Sequence, residues 1–214
     1  LDVPFVTSDA RGALFAPLPD RRYGDRTRRR AAAGARYGVF EYEGRTLITH
    51  APYGVHDCEP ATAEERRAAR LKLGIRGKTL AIGLPEVLDP YCDPRVLAGA
   101  IAELDRAWVD LVLVATGSGG REVDLVAAMS AAGVRDLLKL ADPSALAAVD
   151  VITSVRCADS VGRALVDGLA RALPCVALGT EPHSALLDKG RGVLVSHTSE
   201  SLAAGFAQVD RNRG

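Results

Sequence analysis

Asp110-Leu-Val-Leu-Val-Ala115, followed at once by Thr116-Gly-Ser-Gly-Gly120, is the stretch on which the fold turns. A short apolar run with no polar alternation suits a strand covered on both faces, as in a parallel sheet. The glycines then end the strand and open a turn. The next residues, Arg121 to Ala132, have the composition of a helix, so the segment reads as strand, tight loop, helix. The same alternation extends in both directions. Upstream lie a helix from Thr62 to Leu73, a strand at Thr79 to Gly83 and a helix that Asp93-Pro94 opens. Thr62 and Glu65 have capping-box spacing, Gly74 can supply a left-handed C-terminal cap, and Pro94 at a first helical position sacrifices no hydrogen bond. Downstream come a strand near Asp136 to Leu140, a short helix from Asp142-Pro143 and a strand at Asp150 to Val155. A helix from Asp159-Ser160 to Ala172, strands at Pro174 to Leu178 and Gly192 to Val195, and a helix at Leu202 to Val209 complete the series. About six alternations with right-handed crossovers predict an α/β fold, a doubly wound Rossmann-like parallel sheet over residues 77 to 209.

Residues 1–50 differ. Arg21, Arg22, Arg26, Arg28, Arg29 and Arg30 fall in one polar stretch broken by Pro17, Pro19 and Gly24, which reads as a loosely packed, solvated loop. Tyr37 to Tyr42 and Thr46 to His50, joined by Glu43-Gly44-Arg45, have the pattern of a hairpin. The expected organisation is a small irregular N-terminal segment over residues 1–50 and a Rossmann-like domain over residues 51–214.

Charge and composition narrow the function. The 214 residues carry 27 basic and 27 acidic side chains, without the cationic surplus that nucleic-acid or anionic-membrane binding requires. No apolar run reaches the ~18 residues of a membrane span and no signal-peptide pattern opens the chain, so a soluble, cytoplasmic protein is expected. Cys58, Cys92, Cys157 and Cys175 are scattered without a C-x-x-C pair or a His at ligand spacing. No metal is expected, since zinc needs clustered thiolates and imidazoles. His50, His56, His183 and His197 stand in no nucleophile elbow; His183, in the loop after the Pro174 strand at the ligand edge, reads as a surface-loop residue, with a sugar or phosphate contact as the alternative.

In an open parallel sheet the ligand lies beyond the carboxyl ends of the strands, where helix N-termini present free N–H groups. Three loops qualify. Gly83 to Asp93 holds Glu86, Asp89 and Asp93 but no Lys or Arg. Gly117-Ser118-Gly119-Gly120 matches neither a Walker loop nor a dinucleotide fingerprint, though its glycines permit close backbone approach. The third leads from Arg156 through Asp159-Ser-Val-Gly-Arg-Ala-Leu-Val-Asp167 into Gly-Leu-Ala-Arg-Ala-Leu-Pro174-Cys-Val-Ala177.

This third segment resembles the carboxylate-x7-carboxylate signature of retaining glycosyltransferases of the GT-B fold, group 1 type. Other stretches match in order. Pro52-Tyr53-Gly54-Val55-His56-Asp57 resembles the family's interdomain linker, Leu111 to Gly120 its strand and glycine loop, and Ala147 to Ser154 its Ala-Asp-Val strand. The likeness covers residues 50 to 210, the donor-nucleotide half of such an enzyme. It implies a nucleotide diphosphate sugar as substrate, without a cofactor, and an acceptor of unknown identity. Asp159 would sit by the transferred sugar and Asp167 would grip the ribose diol. The amides of Ser160, Val161 and Gly162, with Arg163, Gly83, Gly117 and Gly119, would line the diphosphate. From the residues alone, Asp159 reads equally as a helix cap and Asp167 as a solvated helix residue.

The departures are specific. The family carries an Arg after the first strand and a Lys soon after, whereas Ile82 to Pro90 has no cation here. Both signature carboxylates are Asp rather than Glu, and only about 50 residues precede the linker. The chain starts at Leu1, so it is expected to be either a piece of a longer polypeptide or a reduced relative. An assembly module that keeps the fold without catalysis, through a protein partner or a homo-oligomer, is the alternative. Another nucleotide-binding α/β enzyme is a third reading.

Overall fold

The computed structural model describes residues 6–8, 13–17, 39–42, 46–50, 59–117, 121–157, 163–187 and 190–213. The chain divides into two compact units, Leu1–Gly54 and Val55–Gly214. In the first unit, β1 (Val6–Ser8), β2 (Ala13–Pro17), β3 (Val39–Tyr42) and β4 (Thr46–His50) form an antiparallel sheet in the order β1-β2-β4-β3. The expected hairpin is β3-β4, paired Val39 to Thr49 and Tyr42 to Thr46. β1 and β2 add order to a segment whose apolar residues show no sustained period. All six arginines of the Arg-rich stretch lie outside the described residues.

The second unit is built from β5 (Leu80–Leu84), β6 (Leu111–Ala115), β7 (Leu138–Leu140), β8 (Val151–Ser154), β9 (Cys175–Leu178) and β10 (Val193–Val195). They form one parallel sheet in the order β10-β9-β8-β5-β6-β7. Every residue of β5, β6, β8 and β9 is buried, which is why β5, β6 and β9 read as unbroken apolar runs, while β8 ends on the buried polar pair Thr153 and Ser154.

Helices cover both faces. α1 (Ala63–Lys72) begins at the capping box expected from the sequence. Glu65 N–H donates to Thr62 Oγ1 at 3.2 Å, and Thr62 N–H donates back to Glu65 Oε2 at 2.8 Å. α2 (Pro94–Arg106) is capped by Asp93, which accepts from Arg95 N–H at 3.1 Å, and it buries Leu97, Ala98, Ile101 and Leu104. α3 (Glu122–Ala131) and the closing α6 (Ser199–Arg211) share the core of that face, where Leu125, Met129, Leu202 and Phe206 are buried. On the other face the 3-10 turn Pro143–Ala148, α4 (Arg163–Ala170) and α5 (Glu181–Leu187) supply Ala145, Leu146, Ala164, Leu165 and Leu187. Two apolar layers around one sheet make the doubly wound Rossmann-like architecture, as the alternation implied.

Local details differ from the sequence reading. α4 ends at Ala170 rather than Ala172, and residues 158–162 before it lie outside the described residues. Glu181–Leu187 is helical, where a plain loop was expected. α6 starts at Ser199, because Thr198 Oγ1 accepts from Ser201 N–H at 3.2 Å and caps a turn that has few apolar residues.

Candidate functional site

The strand order places a topological switch between β5 and β8. From β5 the chain winds outward through β6 and β7 in one direction, and from β8 through β9 and β10 in the other. The carboxyl edge at such a switch point, where the loops leaving β5 and β8 meet, is the standard ligand position of an open α/β sheet.

In the second unit these loops are laced together. Asp93 N–H donates to Val155 O at 3.1 Å, and Cys157 N–H donates to Tyr91 O at 2.8 Å. The loop after β6 presses on the same place, since a Cβ on Gly117 would stand 1.9 Å from Glu86 O. Gly117 thus serves contact between two backbones. Gly83 belongs to the sheet interior, where an added Cβ would meet Ile152 Cδ1 at 2.9 Å and Val149 at 3.1 Å. Its lack of a side chain is accounted for by packing rather than by a ligand.

A charged cluster occupies the switch point. Glu86 is only 4% exposed. Its carboxylate accepts from Ser154 Oγ at 3.0 Å, from Val155 N–H at 3.3 Å and from Arg156 Nε at 3.3 Å. Arg156 Nη2 donates to Asp89 Oδ2 at 2.6 Å, and Asp89 Oδ1 accepts from Tyr91 N–H at 2.9 Å. Arg121, at the entrance to α3, brings Nη1 to 3.4 Å from Asp89 O. The loop without a cation of its own thus receives two from neighbouring loops.

The electrostatics follow from burial. Desolvation pushes the Glu86 carboxyl above its ordinary value against the bonds from Ser154 and Arg156. Burial also acts upward on Asp89, but the Arg156 and Tyr91 bonds outweigh it and hold this carboxyl low. Burial, reinforced by the Glu86 charge, drives the Cys92 thiol up to about 12.

His183 is fully buried in α5, not on the surface. Its Nδ1 lies 2.7 Å from Leu178 O at the end of β9, so Nδ1 carries the proton and Nε2 is left as an acceptor. Among the described residues Nε2 has no hydrogen-bond partner. Burial, together with the Arg156 charge, lowers the imidazole pKa, which favours the neutral ring. Such an acceptor suits a hydroxyl or amide group. The sequence reading places His183 in a loop, although Thr180 followed by Pro182 has the pattern of a capped helix start, and Thr180 Oγ1 accepts from His183 N–H at 3.4 Å.

Cys157, His197 and Asp93 also converge at this edge. Cys157 Sγ is 3.5 Å from His197 Nε2 and 3.7 Å from Nδ1, and His197 Nε2 is 3.4 Å from Asp93 Oδ2. Near-equal distances put the sulfur off both nitrogen lone-pair directions. Burial and the neighbouring Asp93 and Glu86 charges raise the thiol pKa. The trio lacks the alignment and the lowered thiol pKa of an activated nucleophile.

The residues expected to contact a donor are only partly described. Asp167 lies half-buried on α4, beside Gly168, whose missing Cβ allows the helix within 2.9 Å of Ile152 Cγ1 and 3.0 Å of Cys175 Sγ. Arg163 is the first residue of α4, with its side chain outside the described residues. Asp159, Ser160, Val161, Gly162 and Gly119 also lie outside them. No group of His, Cys, Asp and Glu among the described residues could hold a metal ion. No described helix is long and apolar enough to cross a membrane.

No protein-family model and no curated protein matches the sequence. Solved structures do match in fold. WaaG, a glycosyltransferase involved in lipopolysaccharide biosynthesis, superposes with a TM-score of 0.65 at 16% identity, covering 75% of this chain and 46% of that one. The Anabaena protein HepE in complex with UDP-glucose gives 0.62 at 20% identity, covering 72% and 44%. The C-terminal domain of LpcC, a glycosyl transferase group 1 family protein from Francisella tularensis, gives 0.59 at 20% identity, covering 73% of this chain and 87% of that domain. This chain spans less than half of the first two. The likeness is one of fold, that of the Rossmann-like half of a GT-B glycosyltransferase.

Proposed function

We propose that residues 55–214 form a glycosyltransferase-type domain that binds a nucleotide diphosphate sugar at the switch point between β5 and β8. The observation that carries this reading is the convergence of Arg156 and Arg121 on the β5 loop at that point. A departing diphosphate needs fixed positive charge near its oxygens, and electrostatic stabilisation of that kind is the main catalytic contribution in phosphate-leaving reactions. The fold neighbour with UDP-glucose bound supports the ligand class. In this reading Asp167 accepts from the ribose hydroxyls, the amides of residues 160–162 and Arg163 face the diphosphate from the start of α4, and Asp159 stands by the sugar. Transfer would proceed with retention, in the company of an acceptor-binding domain, without a metal.

Isothermal titration calorimetry with UDP-, GDP- and ADP-sugars tests it. One donor is expected to bind, and Asp167→Ala is expected to weaken that binding by about tenfold, the scale of one charge-assisted contact. Absence of binding to the whole panel, with no effect of Asp167→Ala, would sink the reading.

One observation favours a second reading, an assembly domain that keeps the fold without catalysis. Arg156 is already committed to two carboxylates of its own chain. Light scattering coupled to size-exclusion chromatography separates the two, and a strict monomer that binds a nucleotide sugar would rule out assembly through self-association.

A further inference from the structure

Glu86 and Asp89 both bind Arg156, but they are held very differently. The Glu86 side chain is 3% exposed and is fixed by a hydroxyl and a backbone amide as well as by the guanidinium. It belongs to the framework of the switch point. The Asp89 side chain is 32% exposed, and apart from Arg156 its carboxylate is held by local groups of its own loop, Tyr91 N–H and the Cys92 thiol. Rotating Asp89 away leaves the Glu86–Arg156 pair intact and frees the outer edge of the guanidinium. The Asp89 carboxylate puts a negative charge on the exposed edge of Arg156, and a dianionic group is repelled from that edge for as long as Asp89 stays.

The geometry points to Asp89 as a carboxylate plug. It occupies, on the Nη2 edge of Arg156, the position that a phosphate oxygen of the ligand takes, and the ligand binds by displacing it. A carboxylate and a phosphate oxygen accept from a guanidinium in the same way, at 2.7 to 2.9 Å in ordinary charge-assisted bonds. The contact between Arg156 and Asp89, at 2.6 Å, is slightly shorter than that range. Arg121 Nη1, at 3.4 Å from the Asp89 carbonyl, is near enough to join the same anion once the loop shifts. The plug makes this site selective for ligands whose charge density on two adjacent phosphates exceeds that of one carboxylate.

This inference rests on the switch point being the donor site, and the experiment separates the two ideas. Calorimetry of the full chain with inorganic pyrophosphate and with UDP compares the unsubstituted protein, Asp89→Asn and Asp89→Asn/Arg156→Lys, each checked for folding by circular dichroism. Asn keeps the acceptor for Tyr91 N–H and removes the charge. Asp89→Asn is expected to bind pyrophosphate at least tenfold more tightly, and Arg156→Lys, which loses the fork but keeps the charge, is expected to abolish most of that gain. An unchanged or weaker affinity in Asp89→Asn overturns the plug, as does a gain that survives Arg156→Lys. Failure of both the unsubstituted protein and Asp89→Asn to bind pyrophosphate or UDP overturns both the plug and the donor site. UDP binding by the unsubstituted protein with no gain in Asp89→Asn overturns the plug and leaves the donor reading standing. The expected gain with no preference for any nucleotide over pyrophosphate upholds the plug and removes the nucleoside from the donor reading.

Discussion

At the scale of single residues, His183 is the most informative side chain on the carboxyl edge. It is buried and neutral, with Arg156 as the charge that faces it, and burial is the larger cause of its lowered pKa. A histidine held neutral in the folded state binds a proton more readily when the chain unfolds. Its contribution to stability is therefore complete above the ordinary imidazole value of 6.5 and is lost as pH falls from there through the lowered folded value. The slope for one proton is at most about 1.4 kcal/mol per pH unit. His183→Gln keeps a donor for Leu178 O and removes the titration. Urea unfolding of both proteins from pH 7.5 to 5 is expected to show the parent losing more stability than the variant. Parallel profiles would mean that the ring is not confined as described.

At the scale of elements, the end of α2 shows where a local rule is broken. Trp108 follows the helix with φ +61° and is 94% exposed. Its N–H donates to Asp105 O at 2.9 Å, so this is a left-handed helix stop at a position that glycine fills at least cost. The left-handed conformation costs an ordinary residue about 1–2 kcal/mol. Trp108→Gly is expected to raise stability by about 1 kcal/mol after allowing for the looser unfolded chain. The change is read as a higher denaturant midpoint with an unchanged slope, by far-ultraviolet circular dichroism because this is the only Trp. A fall in midpoint would show that the indole makes a stabilising contact in solution. The elements themselves were largely legible, because Thr62 with Glu65, Asp93-Pro94 and the run Leu111–Ala115 each carry a local rule that the fold obeys. α5 and the N-terminal extension of α6 were not read, because Glu181-Pro182-His183 and Ser199-Glu200-Ser201 have no apolar period, although Thr180 and Thr198 supply local caps to which tertiary contacts are added. One such contact is Ser199 Oγ donating to Val96 O at 3.1 Å.

At the scale of the whole second unit, alternation of strands and helices was enough to imply the architecture, but not which charged groups meet. Arg121 and Arg156 lie 35 positions apart and come together only through the order of the sheet. The loop of residues 83–93 therefore looked bare of cations when read alone. The same limit applies on the opposite edge, where Asp150 joins segments far apart in sequence. Its side chain is 8% exposed and accepts from Ala81 N–H at 2.7 Å, from Arg70 Nη1 at 3.2 Å and from Arg213 Nη1 at 2.8 Å, with Arg66 on the second oxygen. Arg70 also donates to Thr79 O at 2.8 Å and Arg66 to Val149 O at 2.6 Å. One carboxylate thus ties α1, the start of β5, the start of β8 and the segment after α6. Removing one partner of a buried ion network strands the others, at about 3–5 kcal/mol. Arg66 is about one third exposed, which shifts the expectation toward the lower end. Asp150→Ala is expected to lower unfolding stability by about 3 kcal/mol, and Asp150→Asn by less, since Asn still accepts from Ala81 N–H. A loss under about 1 kcal/mol in Asp150→Ala, measured by urea denaturation at moderate salt, would show that solvent takes over the arginines and that the apolar layers alone hold α1 in place.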